Sequence, residues 1–244
     1  LPIVNIIEIA QDEEISAIIP VKEFNENEFL FFATRTGVVK RTTLSAFGNI
    51  RTNGLIALSL REDDELIGVR KTTGSNDIVI ASSGGKLVWF EEDQVRSMGR
   101  TAAGVRGINL EEGEVAVGME IVTEDQEILI VSEKGFGKRT PISEYRKTSR
   151  GGKGVKCYKI TEKTGDVVGA KAVEDGTEVM LITNEGIIIR INVDDISILG
   201  RVTSGVKLMN LDSTKNIKIA SIAKVREEQP DKEEESDEQT YEND

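Results

Sequence analysis

Glycines recur along this chain at intervals of about fifty residues, and the interval makes it an array. Gly37, Gly85, Gly135 and Gly186 follow at steps of 48, 50 and 51. Gly54, Gly104, Gly154 and Gly205 form a second series at steps of 50, 50 and 51. A third, small-residue series runs through Ala17, Gly68, Gly118, Gly169 and Ala220. Three series with one period describe similar stacked units, whose homologous positions share one continuous surface.

Within a unit the pattern is that of β-strands. In the second, Ile78-Val79-Ile80-Ala81-Ser82 and Lys86-Leu87-Val88-Trp89-Phe90 are joined through Gly84-Gly85, a hairpin signal. A polar loop from Arg96 to Gly104 follows, then two more strand-like runs, Val105 to Leu110 and Val115 to Ile121. Runs such as Glu127-Ile128-Leu129-Ile130-Val131 and Val179-Met180-Leu181-Ile182-Thr183 are apolar on both pleat faces, as expected of strands buried between neighbouring sheets. Four short strands per unit predict an all-β, propeller-like array of four-stranded blades. A stacked β-sandwich is the alternative architecture. The small-residue series is expected where adjacent sheets approach closely.

Residues 27–75, 76–124, 125–175 and 176–225 read as whole blades. Residues 1–26 align only with the second half of a unit, with Ile15-Ser16-Ala17-Ile18 where Leu66-Ile67-Gly68-Val69 stands in the next. Ile3 to Ile9 and Ile15 to Pro20 are therefore expected to be strands of a half blade. Since the chain starts at Leu1 rather than Met, it reads as cut inside a repeat.

The single cysteine, Cys157, permits no internal disulfide. Histidine is absent, which removes imidazole bases, Ser-His and Cys-His nucleophile pairs and histidine metal ligands together. Tyr145, Tyr158 and Tyr241 stand in no recurrent constellation of acids, bases or ligands. No catalytic residue and no metal site is expected, and no apolar run is long enough for a membrane span.

A formal net charge of −12 argues against a nucleic-acid partner only until it is divided along the chain. Residues 226–244 hold ten acids and two bases, with Pro230 and almost nothing apolar, and are expected to form a disordered acidic tail. Such a tail either competes for a basic surface or only solubilises. The body, residues 1–225, carries only −4.

In that body the bases recur. Behind the first glycine series stand Lys40-Arg41, Lys138-Arg139 and Arg190, with Lys86 in the second repeat, where Val88-Trp89 take the later positions. The long loops carry Arg51, then Arg96 and Arg100, then Arg146, Lys147, Arg150 and Lys153, then Arg201. Right after the second glycine series come Arg106, Lys156 and Lys207. One such residue alone is an ordinary solvated side chain. Recurrence in a stacked array makes a basic stripe matched to a polyanion. The densest element runs from Tyr145 to Lys156, where glycines let backbone N–H groups approach phosphates and flanking cations neutralise them. It is not a nucleotide P-loop, because G-x-x-x-x-G-K-[ST] is missing.

On these residues the chain resembles the C-terminal domain of the DNA gyrase A subunit, the β-pinwheel of a bacterial type II topoisomerase. The matching stretches include Leu1-Pro2-Ile3-Val4-Asn5, Asp63-Asp64-Glu65-Leu66-Ile67-Gly68-Val69 and Thr101 to Ile108. Lys134-Gly135-Phe136-Gly137-Lys138-Arg139-Thr140 matches too, as does Asp195-Ile196-Ser197-Ile198-Leu199-Gly200-Arg201 with Gly205-Val206. The resemblance implies a non-catalytic domain that binds double-stranded DNA through its phosphate backbone and wraps it with positive handedness around a basic rim. The wrapped segment is then presented for strand passage, which yields negative supercoils. Implied partners are the remainder of the gyrase A subunit, together with the gyrase B subunit, with ATP and Mg used there and no cofactor in this chain. A cytoplasmic, nucleoid-associated location without membrane contact is implied as well.

The family's hallmark box, Q-R-R-G-G-K-G, belongs to its first blade. Thr148-Ser149-Arg150-Gly151-Gly152-Lys153-Gly154 shares the Arg-Gly-Gly-Lys-Gly part in a later repeat and is a cognate loop. The corresponding domain of topoisomerase IV, more degenerate in its repeats, is the alternative within the family. A propeller-like protein-interaction module is the alternative outside it, poorly supplied with hot-spot aromatics by seven Phe, three Tyr and one Trp.

Overall fold

Hairpins come first in every repeat. The computed structural model describes residues 15–51 and 54–225, and builds from them four antiparallel sheets. Each sheet starts from one hairpin: β1 (Phe29–Thr34) with β2 (Val38–Thr43), and β4 (Asp77–Ser82) with β5 (Lys86–Glu91). The same holds for β8 (Glu127–Ser132) with β9 (Phe136–Pro141), and β12 (Glu178–Thr183) with β13 (Ile188–Asn192). The four turns are alike, for the amides of Gly37, Gly85, Gly135 and Gly186 donate to the carbonyls of Thr34, Ser82, Ser132 and Thr183. Those glycines have φ of 80°, 74°, 80° and 77°, a left-handed conformation that costs other residues about 1–2 kcal/mol. The first glycine series is the set of hairpin-closing positions.

On the other side of each first hairpin strand lies the strand that ends the repeat: β3 (Leu66–Thr72), β7 (Ala116–Val122), β11 (Val167–Val173) and β15 (Ile219–Lys224). These strands pack in succession, β3 on β7, β7 on β11 and β11 on β15. The third small-residue series sits here. A Cβ on Gly118 would lie 2.8 Å from the Ala170 carbonyl oxygen, and one on Gly169 would lie 2.7 Å from Ile222. Contact at Gly68 is looser, 3.6 Å to the end of Met119. Along the same strands Glu120 accepts from Arg70 at 2.9 Å and from Lys171 at 2.8 Å, so one buried carboxylate ties three repeats.

The fourth strand departs from the expectation of self-contained blades. Instead of a run from Val105 to Leu110 within the second sheet, β6 is only Val105–Arg106, and it pairs with β2 of the first sheet. In the same way β10 (Val155–Lys156) pairs with β5, and β14 (Val206–Lys207) with β9. Each repeat thus completes the sheet before it. The fourth sheet has three strands among the described residues, in the order β13-β12-β15, and Ile187 and Ile188 at its outer edge are exposed.

Between sheets lie three apolar layers. Phe31, Ile78, Ile80, Val88 and Phe90 fill the first; Val79, Trp89, Ile128, Ile130 and Tyr145 the second; Leu129, Val131, Val179 and Leu181 the third. Alternate residues of β4 and of β8 enter different layers, which is why those strands are apolar on both faces. Each such side chain contributes about 1.5–3 kcal/mol of burial. Residues 15–20 form no strand, contrary to the half-blade expectation, since among the described residues no hairpin stands beside them to complete a ladder. Ile3 to Ile9 and the acidic stretch 226–244 lie outside the described residues.

Candidate nucleic-acid interface

Strand exchange builds a continuous outer edge. The second glycine series leads into the three added strands, and its reason is contact. A Cβ on Gly104, Gly154 or Gly205 would lie 2.4–2.5 Å from the carbonyl of Val39, Leu87 or Gly137 on the strand being joined. Before each of these glycines a loop carries an arginine whose Nη1 reaches back to the preceding repeat. Arg100 donates to the Ile56 carbonyl at 3.2 Å, Arg150 to that of Arg106 at 3.2 Å, and Arg201 to that of Lys156 at 2.7 Å. One tie, used three times, links loop to strand and strand to loop along the rim.

The ties also gather charge. The Arg150 guanidinium sits on the Arg106 backbone and that of Arg201 on the Lys156 backbone, so basic residues of consecutive repeats are joined through the ties. Arg106, Lys153, Lys156 and Lys207 are exposed, while Arg100, Arg150 and Arg201 are half-buried by their own ties. Arg51, Arg96 and Arg146 are exposed as well. Lys207 and Lys163 both approach the ring of Phe136, at 5.7 and 5.2 Å. Lys163 has no basic counterpart in other repeats, so periodicity gave no signal for it.

Other expected rim cations are placed differently. Lys147 is exposed but neutralised, 2.9 Å from Asp77 and 3.4 Å from Glu91. Arg190 is paired with Glu178 and lines a cleft bordered by residues 16–20. Lys40, Arg41, Lys138 and Arg139 are buried, which corrects their reading as rim residues. The cause is the added strand and its loop, which cover the slot behind the hairpin glycine. Lys40 donates to the carbonyls of Ala57 and Arg100, and Lys138 to those of Gly200 and Arg201. Arg41 stacks 4.6 Å from the Phe29 ring and faces Glu92. Arg139 meets Glu127 at 2.9 Å and Asp175 at 3.2 Å and donates to the Ile196 carbonyl.

Burial pushes both lysines down to about 8, with Arg100 adding to the effect on Lys40. The backbone of the densest loop is also partly committed. The Arg150 amide donates to the Gln94 side chain and the Gly151 amide to the Gly107 carbonyl, so these two N–H groups are not offered to an external anion. Burial raises the Tyr145 and Tyr158 phenols and pushes the Cys157 thiol up to about 12, making all three neutral core groups near pH 7. Among the described residues no helix is long and apolar enough to cross a membrane, and no group of His, Cys, Asp or Glu is arranged to hold a metal ion.

Comparison with known proteins adds a family to this geometry. The family model described as the DNA gyrase C-terminal domain, a β-propeller, matches residues 28–73, 76–123, 126–174 and 177–214. The chain is 48% identical over 231 residues to the DNA gyrase A subunit of Staphylococcus epidermidis strain ATCC 12228 / FDA PCI 1200, covering 93% of this chain and 26% of that protein. It is 46% identical over 243 residues to the DNA gyrase A subunit of Staphylococcus aureus strain NCTC 8325 / PS 47, covering 98% of this chain and 27% of that protein. The chain therefore spans about a quarter of the length of these curated relatives. Among solved structures, the C-terminal domain of a DNA topoisomerase IV is similar with a TM-score of 0.84 and 32% identity, over 91% of this chain and 69% of that one. A DNA gyrase A C-terminal domain is similar with a TM-score of 0.79 and 29% identity, over 91% and 74%.

Proposed function

Given that the chain belongs to the DNA gyrase C-terminal β-propeller family, we propose that it is the part of a gyrase A subunit that binds duplex DNA along the outer edges of its sheets. The observation that carries this reading is the recurrent tie that joins basic residues of consecutive repeats, from Arg150 to the Arg106 backbone and from Arg201 to that of Lys156. Duplex DNA carries one charge per ~1.7 Å of axis, and each cation set on a phosphate releases condensed counterions. No base-reading element is needed, because phosphate contacts fix position without reading sequence. The half-buried arginines are held by their ties, so less side-chain freedom is lost on binding.

A rim that curves with the array bends the duplex it holds. In the full-length protein this domain wraps a DNA segment with positive handedness and presents it for strand passage by the remainder of the gyrase A subunit, together with the gyrase B subunit, at the cytoplasmic nucleoid. ATP and Mg act there, outside this chain. The topoisomerase IV reading has the higher TM-score, but the 46–48% identity to gyrase sequences favours gyrase.

The test is titration of two duplexes of equal length and unrelated sequence, with closed-circular DNA relaxed in the protein's presence as a second arm. Equal affinities are expected, falling on the order of a thousandfold between about 50 and 200 mM salt if six to ten phosphates are contacted. A shift of the relaxed DNA toward positive writhe supports wrapping. A strong preference for one sequence, or no salt dependence, overturns the DNA-binding reading.

A further inference from the structure

We propose that Lys40 and Lys138 are positioning residues, latching from beneath the loops that carry Arg100 and Arg201. The two lysines occupy one slot, three residues past the hairpin glycines Gly37 and Gly135. Both are fully buried. Among the described residues neither has a carboxylate within ion-pair distance, and both spend their ammonium on backbone carbonyls of the loop that the following repeat lays over them, to which Lys40 adds one carbonyl of its own repeat, that of Ala57. Lys40 takes the Ala57 oxygen at 2.6 Å and the oxygen of Arg100; Lys138 takes Gly200 at 2.6 Å and Arg201 at 2.7 Å. Each lysine therefore binds the backbone of the very arginine whose guanidinium ties the rim together.

The second repeat shows that packing alone does not require a cation there. Val88 fills the same slot, equally buried. What valine lacks is a donor for the carbonyls above it. A buried ammonium is expensive unless its donors are satisfied, and here the loop satisfies them. Arg100 and Arg201 are consequently held at both carbonyl and side chain, while Arg150 is held by its side chain and amide through Gln94 and Arg106.

Three homologous amides supply the readout. Met98 donates to the Arg41 carbonyl, Thr148 to that of Trp89 and Leu199 to that of Arg139. In the whole chain, Lys138→Met should speed hydrogen exchange at Leu199 about tenfold and leave Met98 and Thr148 unchanged, as expected for loss of one charge-assisted anchor. Lys40→Met should do the same at Met98 alone. No change at either amide, or equal acceleration at all three, overturns the proposal. If neither variant folds, acetic anhydride labelling of the unaltered chain decides. Lys40 and Lys138 protected while Lys153 and Lys156 react supports the latch, and reactive Lys40 and Lys138 sink it.

The consequence for DNA rests on the binding reading above and is measured separately. Lys138→Met should weaken duplex binding about three- to tenfold with an unchanged salt slope, because it loosens an arginine without removing a phosphate contact. A flattened slope would make Lys138 a contact residue and contradict its positioning role. If the unaltered chain does not bind duplex DNA, that reading fails while the exchange experiment still judges the latch.

Discussion

The outer edges of the second and third sheets follow one backbone path over different foundations. Under the third edge lie Lys138 and Arg139, both buried and both bonded internally. Beneath the second lie Val88 and Trp89, and the positive charge stands instead on the loop above, at Arg146, Arg150 and Lys153. The same slot serves as latch where it holds a donor and as packing where it holds valine. At the next position along the strand, cover decides whether a cation is buried. In the fourth sheet Arg190 stands where Arg139 and Trp89 stand, and it is exposed because among the described residues no added strand pairs with β13.

Stability measurements are the strongest way to break this contrast. Trp89→Ala empties part of the second apolar layer and should cost about 3–5 kcal/mol in denaturant unfolding. Arg139→Ala strands the carboxylate of Glu127 and should cost a similar amount, about 3–5 kcal/mol. Arg150→Ala, on the exposed loop, should cost much less. A near-neutral Arg139→Ala would mean that the third edge keeps its cations for something other than structure.

Inner edges sharpen the contrast at smaller scale. Gly118→Ala drives a Cβ toward the Ala170 carbonyl and should cost about 1–3 kcal/mol. Gly68→Ala meets only the flexible end of Met119, so its cost should stay within about 0.5 kcal/mol. Equal costs would show that the sheets can move apart without penalty.

A weaker effect is expected from pH. The folded chain releases protons from Lys40 and Lys138 near pH 8, whereas the unfolded chain holds them to the ordinary lysine range. Above pH 8 the unfolded state binds more protons, so these two groups add stability as pH rises from 8 to 9. Comparing unfolding midpoints at the two pH values in the unaltered chain and in Lys40→Met with Lys138→Met checks this. The double variant should lose the rise.

The period, the four hairpins and their glycines were readable because φ above zero and sheet-to-sheet contact each demand a residue type at a fixed place. Strand exchange was not. Val105–Arg106 is too short to show a two-residue alternation, and its partner lies in the preceding repeat, beyond any local pattern. Recurrent charge located Arg100, Arg150 and Arg201, yet charge alone does not separate Lys40 from Lys153. Lys40 follows Val38-Val39 and Lys153 stands between glycines, but the strand that covers Lys40 is added by the next repeat.

Counterion release separates edge cations, exposed or half-buried, that hold duplex phosphates from fully buried neighbours that do not. The slope of log affinity against log salt would be measured for the unaltered chain, for Arg106, Arg150, Lys156 and Arg201 all changed to Ala, and for Lys40→Met with Lys138→Met. The slope should flatten by about 0.9 for each phosphate that the quadruple variant no longer neutralises. It should stay the same in the double variant, which gives up affinity alone. Equal slopes in the unaltered and quadruple forms, or a flattened slope in the double variant, would contradict that separation.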